Sequence, residues 1–274
     1  MTPTLVRRHR PSPSPPRSRV RDWAEIQERM LVPLYEAVYE RLEVDDGTRL
    51  LSLGCGSGLA LLMAASRGAT VSGIDTDERR LDLARERLAA HPSSVPVRLG
   101  HGGVDCVVDP ADPPFTLVTA FDPLYCAGGG AREMAEALRQ AAAKARRGAP
   151  VVLAGWGPPE RCAASGALRV AARLADPMAT AAHWRPSGRD DLEDLARMAG
   201  LRPDGSGRVA CPYGYADLAS AVRGLLSTGA FDAATRTTDQ EQVSKELTEA
   251  VHPYLRGDGT VWMPNVFRYL IARV

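Results

Sequence analysis

The chain has 274 residues, 45% of them hydrophobic, enough for one large α/β domain or for a core with a modest cap. A net charge of +1 and a pI near 7.7 give no general pull toward nucleic acid or anionic lipid. The five cysteines, Cys55, Cys106, Cys126, Cys162 and Cys211, are scattered without a CxxC pair, which argues against a disulfide framework or a zinc site and for buried thiols in a reducing cytoplasm.

Residues 1–20 are rich in Pro, Ser and Arg and read as a disordered arm. Arg7-Arg8 resembles a twin-arginine start, but Pro11, Pro13, Pro15 and Pro16 stand where an apolar segment belongs, so a cytoplasmic location is expected. No apolar run is long enough to span a membrane. Residues 21–46 read as N-terminal helices. Trp23, Ile26, Met30, Leu34, Val38 and Leu42 recur at helical spacing, and Pro33 divides or kinks the run. From Gly47 to the C-terminus strands and helices alternate. Strands are expected at 50–53, 70–74, 95–99, 115–121 and 151–155, with helices at 59–67, 77–90 and 132–146. Such alternation implies a doubly wound parallel sheet. After Trp156 the rhythm changes to helical insertions at about 157–190 and 216–258, with a strand expected at 207–213 and a last strand at 266–274.

Leu53-Gly54-Cys55-Gly56-Ser57-Gly58 stands between a buried strand and a helix. Glycines allow a sharp turn and close approach of a ligand, and the helix N-terminus beyond offers free N–H groups. Asp75 ends the next strand, where a carboxylate can hold ribose hydroxyls. Dinucleotide sites use G-x-G-x-x-G; here the spacing is G-x-G-x-G, which disfavours an NAD-dependent oxidoreductase.

Together, LLSLGCGSG and RGATVSGIDTDERRLDLARERL resemble motif I and the acidic second-strand loop of class I S-adenosylmethionine (SAM)-dependent methyltransferases, in their small-molecule branch of ubiquinone/menaquinone-type and actinobacterial natural-product enzymes. Softer similarities lie at Phe115–Thr119, Gly155–Glu160 and Asn265–Tyr269. The resemblance implies a Rossmann-like class I methyltransferase sheet with a helical cap. It implies SAM as cofactor, S-adenosylhomocysteine (SAH) as product, and a small-molecule acceptor rather than nucleic acid or membrane. Gly54, Gly56 and Gly58 would pass the methionine and ribose part of SAM, with Cys55 lining the loop through its backbone. Asp75 would take the ribose hydroxyls, Thr76 would lie near the adenine, and Phe121 would close the site at the end of the fourth strand. Two positions depart from the family pattern. Ser52 replaces an acid, and His101 stands where an acid meets the adenine amine; a neutral ring nitrogen could accept that hydrogen bond.

Methyl transfer rests largely on positioning, and a base is needed only where the acceptor must lose a proton. Phe121-Asp122-Pro123-Leu124-Tyr125 resembles the Asp/Asn-Pro-Pro-aromatic motif of amino-methyltransferases, with Leu124 in place of the second proline. Asp122 and Tyr125 are therefore candidate catalytic residues, a turn cap before Pro123 being an equal reading for Asp122. Asp112-Pro113-Pro114-Phe115 matches the motif literally but precedes its strand, at the wrong end of the sheet. His183, beside Trp184, is a candidate base, and His252 a weaker one. Trp23, Tyr35, Tyr213 and Tyr215 could cover the cofactor or simply fill the core. A non-methylating cyclase or isomerase on the same fold is the alternative, and Ser52 and His101 keep it open. A nucleic-acid methyltransferase is disfavoured by the near-neutral charge.

Overall fold

The computed structural model describes residues 16–90, 97–109, 111–121, 130–176, 188 and 190–274. Helix α1 (Pro16–Asp22) starts earlier than the composition suggests, with Pro16 as its first residue, where a missing N–H costs nothing. Val20 is buried and Arg19 pairs with Asp232 at 2.7 Å. Residues 1–15 of the expected arm lie outside the described residues. The stretch before Pro33 is not a regular helix. A π turn (Trp23–Gln27) runs into a 3-10 turn (Glu28–Leu31), and α2 (Val32–Arg41) follows with proline in its first turn.

The nucleotide-fold half runs β1 (Arg49–Leu53), α3 (Leu59–Ala65), β2 (Thr70–Asp75), α4 (Glu78–Ala89), β3 (Arg98–His101), β4 (Leu117–Ala120), α5 (Ala131–Ala143) and β5 (Pro150–Trp156). The rest runs α6 (Ala164–Ala175), α7 (Asp191–Met198), β6 (Arg202–Ala210), β7 (Tyr213–Tyr215), α8 (Leu218–Ser227), α9 (Asp232–Thr237), α10 (Gln240–Val251), β8 (Val261–Met263) and β9 (Val266–Arg273). Seven strands form one sheet in the order β3-β2-β1-β4-β5-β9-β6, with β9 antiparallel to both neighbours; β7 and β8 form a separate pair.

Strand β1 is flanked by β2 and β4, so the order reverses there. In such sheets the crevice beyond the strand C-termini at the reversal is where ligands bind. Both faces of the sheet are covered, which explains the unbroken apolar runs. Leu50 and Leu51 are fully buried on opposite faces, each contributing about 1.5–3 kcal/mol. Helices α5 and α7 cover one face. On the other, α2, α3 and α4 share one continuous core with the cap helices α6, α8, α9 and α10. Asp77, Asp217 and Asp239 cap α4, α8 and α10 by accepting backbone N–H bonds, fixing where each starts.

Strand β6 is longer than 207–213 and begins at Arg202. It is the sheet edge and mostly exposed, so its residues show no apolar alternation. The third strand starts at Arg98; residues 91–96 lie outside the described residues. No described helix is long and apolar enough to cross a membrane.

Candidate cofactor site

The β1–α3 turn carries three glycines in the left-handed region: Gly54 (φ 68°), Gly56 (φ 58°) and Gly58 (φ 79°). A Cβ on Gly58 would meet Ala84 Cβ at 2.9 Å and its Cα at 3.1 Å, so α4 can approach only a glycine. A Cβ on Gly56 would come within 3.0 Å of Glu28 Oε1. Gly56 and Gly58 thus leave no room for a side chain of their own. Cys55 points away from the loop, against Gly73, and is buried. Burial, with Asp75 and Glu28 nearby, pushes its thiol up to about 12, so Cys55 acts through its backbone and packing rather than as a nucleophile.

Asp75 reaches under this loop from the end of β2. Its Oδ2 accepts from Gly56 N and its Oδ1 from Asp77 N, both at 2.9 Å. A carboxylate offers about four acceptor positions, so two remain for a ligand. His101 lies opposite Asp75 across β2 and β3. Its Nε2 is 3.1 Å from the carbonyl of Thr76, which can only accept, so Nε2 carries a proton. In the neutral ring Nδ1 is then an acceptor, the capability that a carboxylate at this position would provide. Thr76 itself is exposed beside it.

Phe121, at the end of β4, is buried against Tyr35 and Tyr39, with ring centroids at 5.0 and 6.0 Å. Tyr39 donates to Ala60 O at 3.0 Å, and burial raises its phenol. Phe121 also lines a cavity of about 20 Å³ with Trp23, Glu28, Tyr35, Ser52, Gly54 and Gly56. The N-terminal turns therefore lie on the glycine loop itself. Trp23 covers it, with its ring 4.8 Å from the Arg80 guanidinium carbon. Tyr35 is shared between core and cavity. Tyr213 and Tyr215 belong to the core: Tyr213 packs on Trp156 and Phe267, and Tyr215 donates to Gln27 at 2.9 Å.

Sequence reasoning missed Glu28. It is 2% exposed, accepts from Ser57 N at 3.2 Å and from Ser57 Oγ, and pairs with Arg87 at 2.8 Å. Its carboxylate thus sits at the N-terminus of α3, where the helix dipole favours an anion. The available signal was on α4, where Arg80, Ala84 and Arg87 share one face at helical spacing.

The other candidates separate from this site. Asp122, Tyr125 and His183 lie outside the described residues. His252 begins an exposed 3-10 turn after α10. Asp112 pairs with Arg98, and Thr116 N bonds Arg49 O at the start of β1, so the Asp112–Phe115 motif does lie at the opposite sheet end. A second cavity of about 570 Å³ opens where β5 ends and β9 begins, lined by Trp156, Glu160, Glu193, Arg208 and Arg268. Arg268 and Glu193 hold each other there by a two-pronged ion pair.

Comparison with known proteins agrees with this geometry. Residues 50–148 match a methyltransferase domain. Methyltransferase GfsG of Streptomyces halstedii is 42% identical over 66 residues, 24% of this chain and 22% of that protein. A ubiquinone biosynthesis O-methyltransferase of Azoarcus sp. (strain BH72) is 36% identical over 98 residues, 34% of this chain and 41% of its own length. The chain thus spans less than half of either relative. In fold it is similar to a SAM-dependent methyltransferase from Thiobacillus denitrificans solved with SAH, with a TM-score of 0.53 and 20% identity over 94% of this chain and 99% of that one. The matched methyltransferase domain contains the glycine loop and Asp75.

Proposed function

We propose that the protein transfers the methyl group of SAM to a small-molecule acceptor, a natural-product or secondary-metabolite intermediate. The observation that carries this is the glycine loop with the Asp75 carboxylate tied beneath it. The residues present fit the cofactor. Asp75 keeps acceptor capacity for the ribose hydroxyls, His101 Nδ1 can accept from the adenine amine, and Gly54–Gly56 admit close approach of the remainder. When bound, SAM supplies an electrophilic methyl on a sulfonium.

The protein's own part is positioning. Phe121, braced by Tyr35 and Tyr39, presents an apolar wall that excludes water at the end of β4. Asp122 and Tyr125 follow it directly in sequence, and we assign them the acceptor side, Asp122 accepting a proton or hydrogen bond from the acceptor and Tyr125 packing against it. His183 is a second candidate base. The 570 Å³ cavity at the end of β5 has the size of a small-molecule site at the same end of the sheet. The near-neutral charge supports neither a nucleic acid nor a membrane partner.

The test is SAH formation from SAM across a panel of phenols, amines and polyketide-like acceptors, with transfer RNA as a further arm. Acceptor-dependent SAH with a small molecule and none with RNA is expected. Tight SAM binding with no turnover on any acceptor would instead support the non-methylating cyclase reading, whose support is Ser52 and His101 standing in place of acids.

A further inference from the structure

The cavity at the glycine loop contains a hydrogen-bond donor without an acceptor. Trp23 is 6% exposed, and its indole Nε1–H has no partner. A Cβ on Gly56 would lie 3.5 Å from that nitrogen, so the donor faces the loop backbone. The Arg80 guanidinium carbon lies 4.8 Å over the ring, leaving the N–H edge turned to the loop. Glu28, the carboxylate beside it, is already engaged by Ser57 and Arg87. Buried donors are almost always paired, so an orphan in a cofactor cleft points to an acceptor carried by the ligand.

Asp75 and His101, at the ends of β2 and β3, are suited to the ribose and adenine of SAM. The other end of the molecule would then cross Gly54 and Gly56 toward Trp23. That end carries an ammonium and a carboxylate. An indole N–H only donates, so it can meet the carboxylate and not the ammonium. Resting on the SAM reading above, we propose that Trp23 is a cofactor-positioning residue whose Nε1–H hydrogen-bonds the carboxylate at the amino-acid end of SAM. The cavity is only about water-sized, so the carboxylate enters as the π and 3-10 turns at 23–31 move outward. Such irregular turns shift more easily than a regular helix and recur at functional sites.

The test is calorimetric titration of wild type and Trp23→Phe with SAH and with 5′-methylthioadenosine, which keeps adenine, ribose and sulfur but lacks the amino-acid end. Phe keeps an aromatic ring and removes the donor. SAH should bind about tenfold more weakly to Trp23→Phe, the size of one lost hydrogen bond to a charged group, while 5′-methylthioadenosine binds unchanged. Equal weakening of both ligands, or of neither, would overturn the proposal. Wild type that binds neither would sink the SAM reading beneath it, a separable result. If Trp23→Phe does not fold, Trp23→3-benzothienylalanine, isosteric but without the N–H, gives the same comparison.

Discussion

At the scale of single residues, the site was legible where chemistry dictates residue type at fixed spacing. Gly54, Gly56, Gly58 and Asp75 are readable because only glycine takes these dihedrals beside packed neighbours, and because the acid must end the adjacent strand. Cys55 is of the opposite kind. Its position in the loop suggests chemistry, and its burial removes it. A thiol that the fold holds neutral contributes stability that is complete below the ordinary value of 9.0 and is lost as pH rises toward about 12. Cys211, pushed up to about 12 by burial, acts in the same direction. Denaturant midpoints should therefore fall as pH rises above 9.0, and Cys211→Ala should fall less steeply than wild type. Identical slopes for the two proteins would show that the buried thiol carries none of the alkaline loss.

At the scale of elements, the central parallel strands followed from unbroken apolar runs and the helices around them from their spacing, because those strands are buried on both faces and the helices on one. What escaped is instructive. The first half of strand β6, before the expected 207–213, lies at the edge with Pro203 and Gly205 in it, so no apolar pattern announces it. The turns at 23–31 read as one amphipathic helix, and the sequence does not reveal that Glu28 faces inward. Its partners, Ser57 and Arg87, are 29 and 59 residues away. This triad joins the N-terminal turns, the glycine loop and α4. Arg87→Ala leaves a buried carboxylate with only Ser57, and should cost about 2–3 kcal/mol, less than a fully buried pair because Arg87 is partly exposed. Chemical denaturation measures this directly. A loss under about 0.5 kcal/mol, the range of an ordinary surface change, would mean that the triad does not tie the segment to the loop.

At the scale of the molecule, the order reversal at β1 and β4 sets the crevice, and the glycine loop, Asp75, His101 and Phe121 come to it from the ends of four strands. The N-terminal turns then lie across one side of that crevice. The cap helices share the core of the sheet face beneath them, so cap and sheet are one folded unit rather than an appended domain. That the cap is helical was legible from its spacing. Which sheet face it packs on was not, since that depends on long-range packing between segments with no shared motif.

The most direct measurement is calorimetric titration of the purified protein with SAM, alongside Asp75→Ala and with NADH as the control ligand. Saturable SAM binding is expected, weakened at least about tenfold in Asp75→Ala by loss of the carboxylate's hydrogen bonds, with no binding of NADH. A folded protein that does not bind SAM, or an Asp75→Ala variant that binds it as wild type does, would contradict the assignment of this loop to the cofactor.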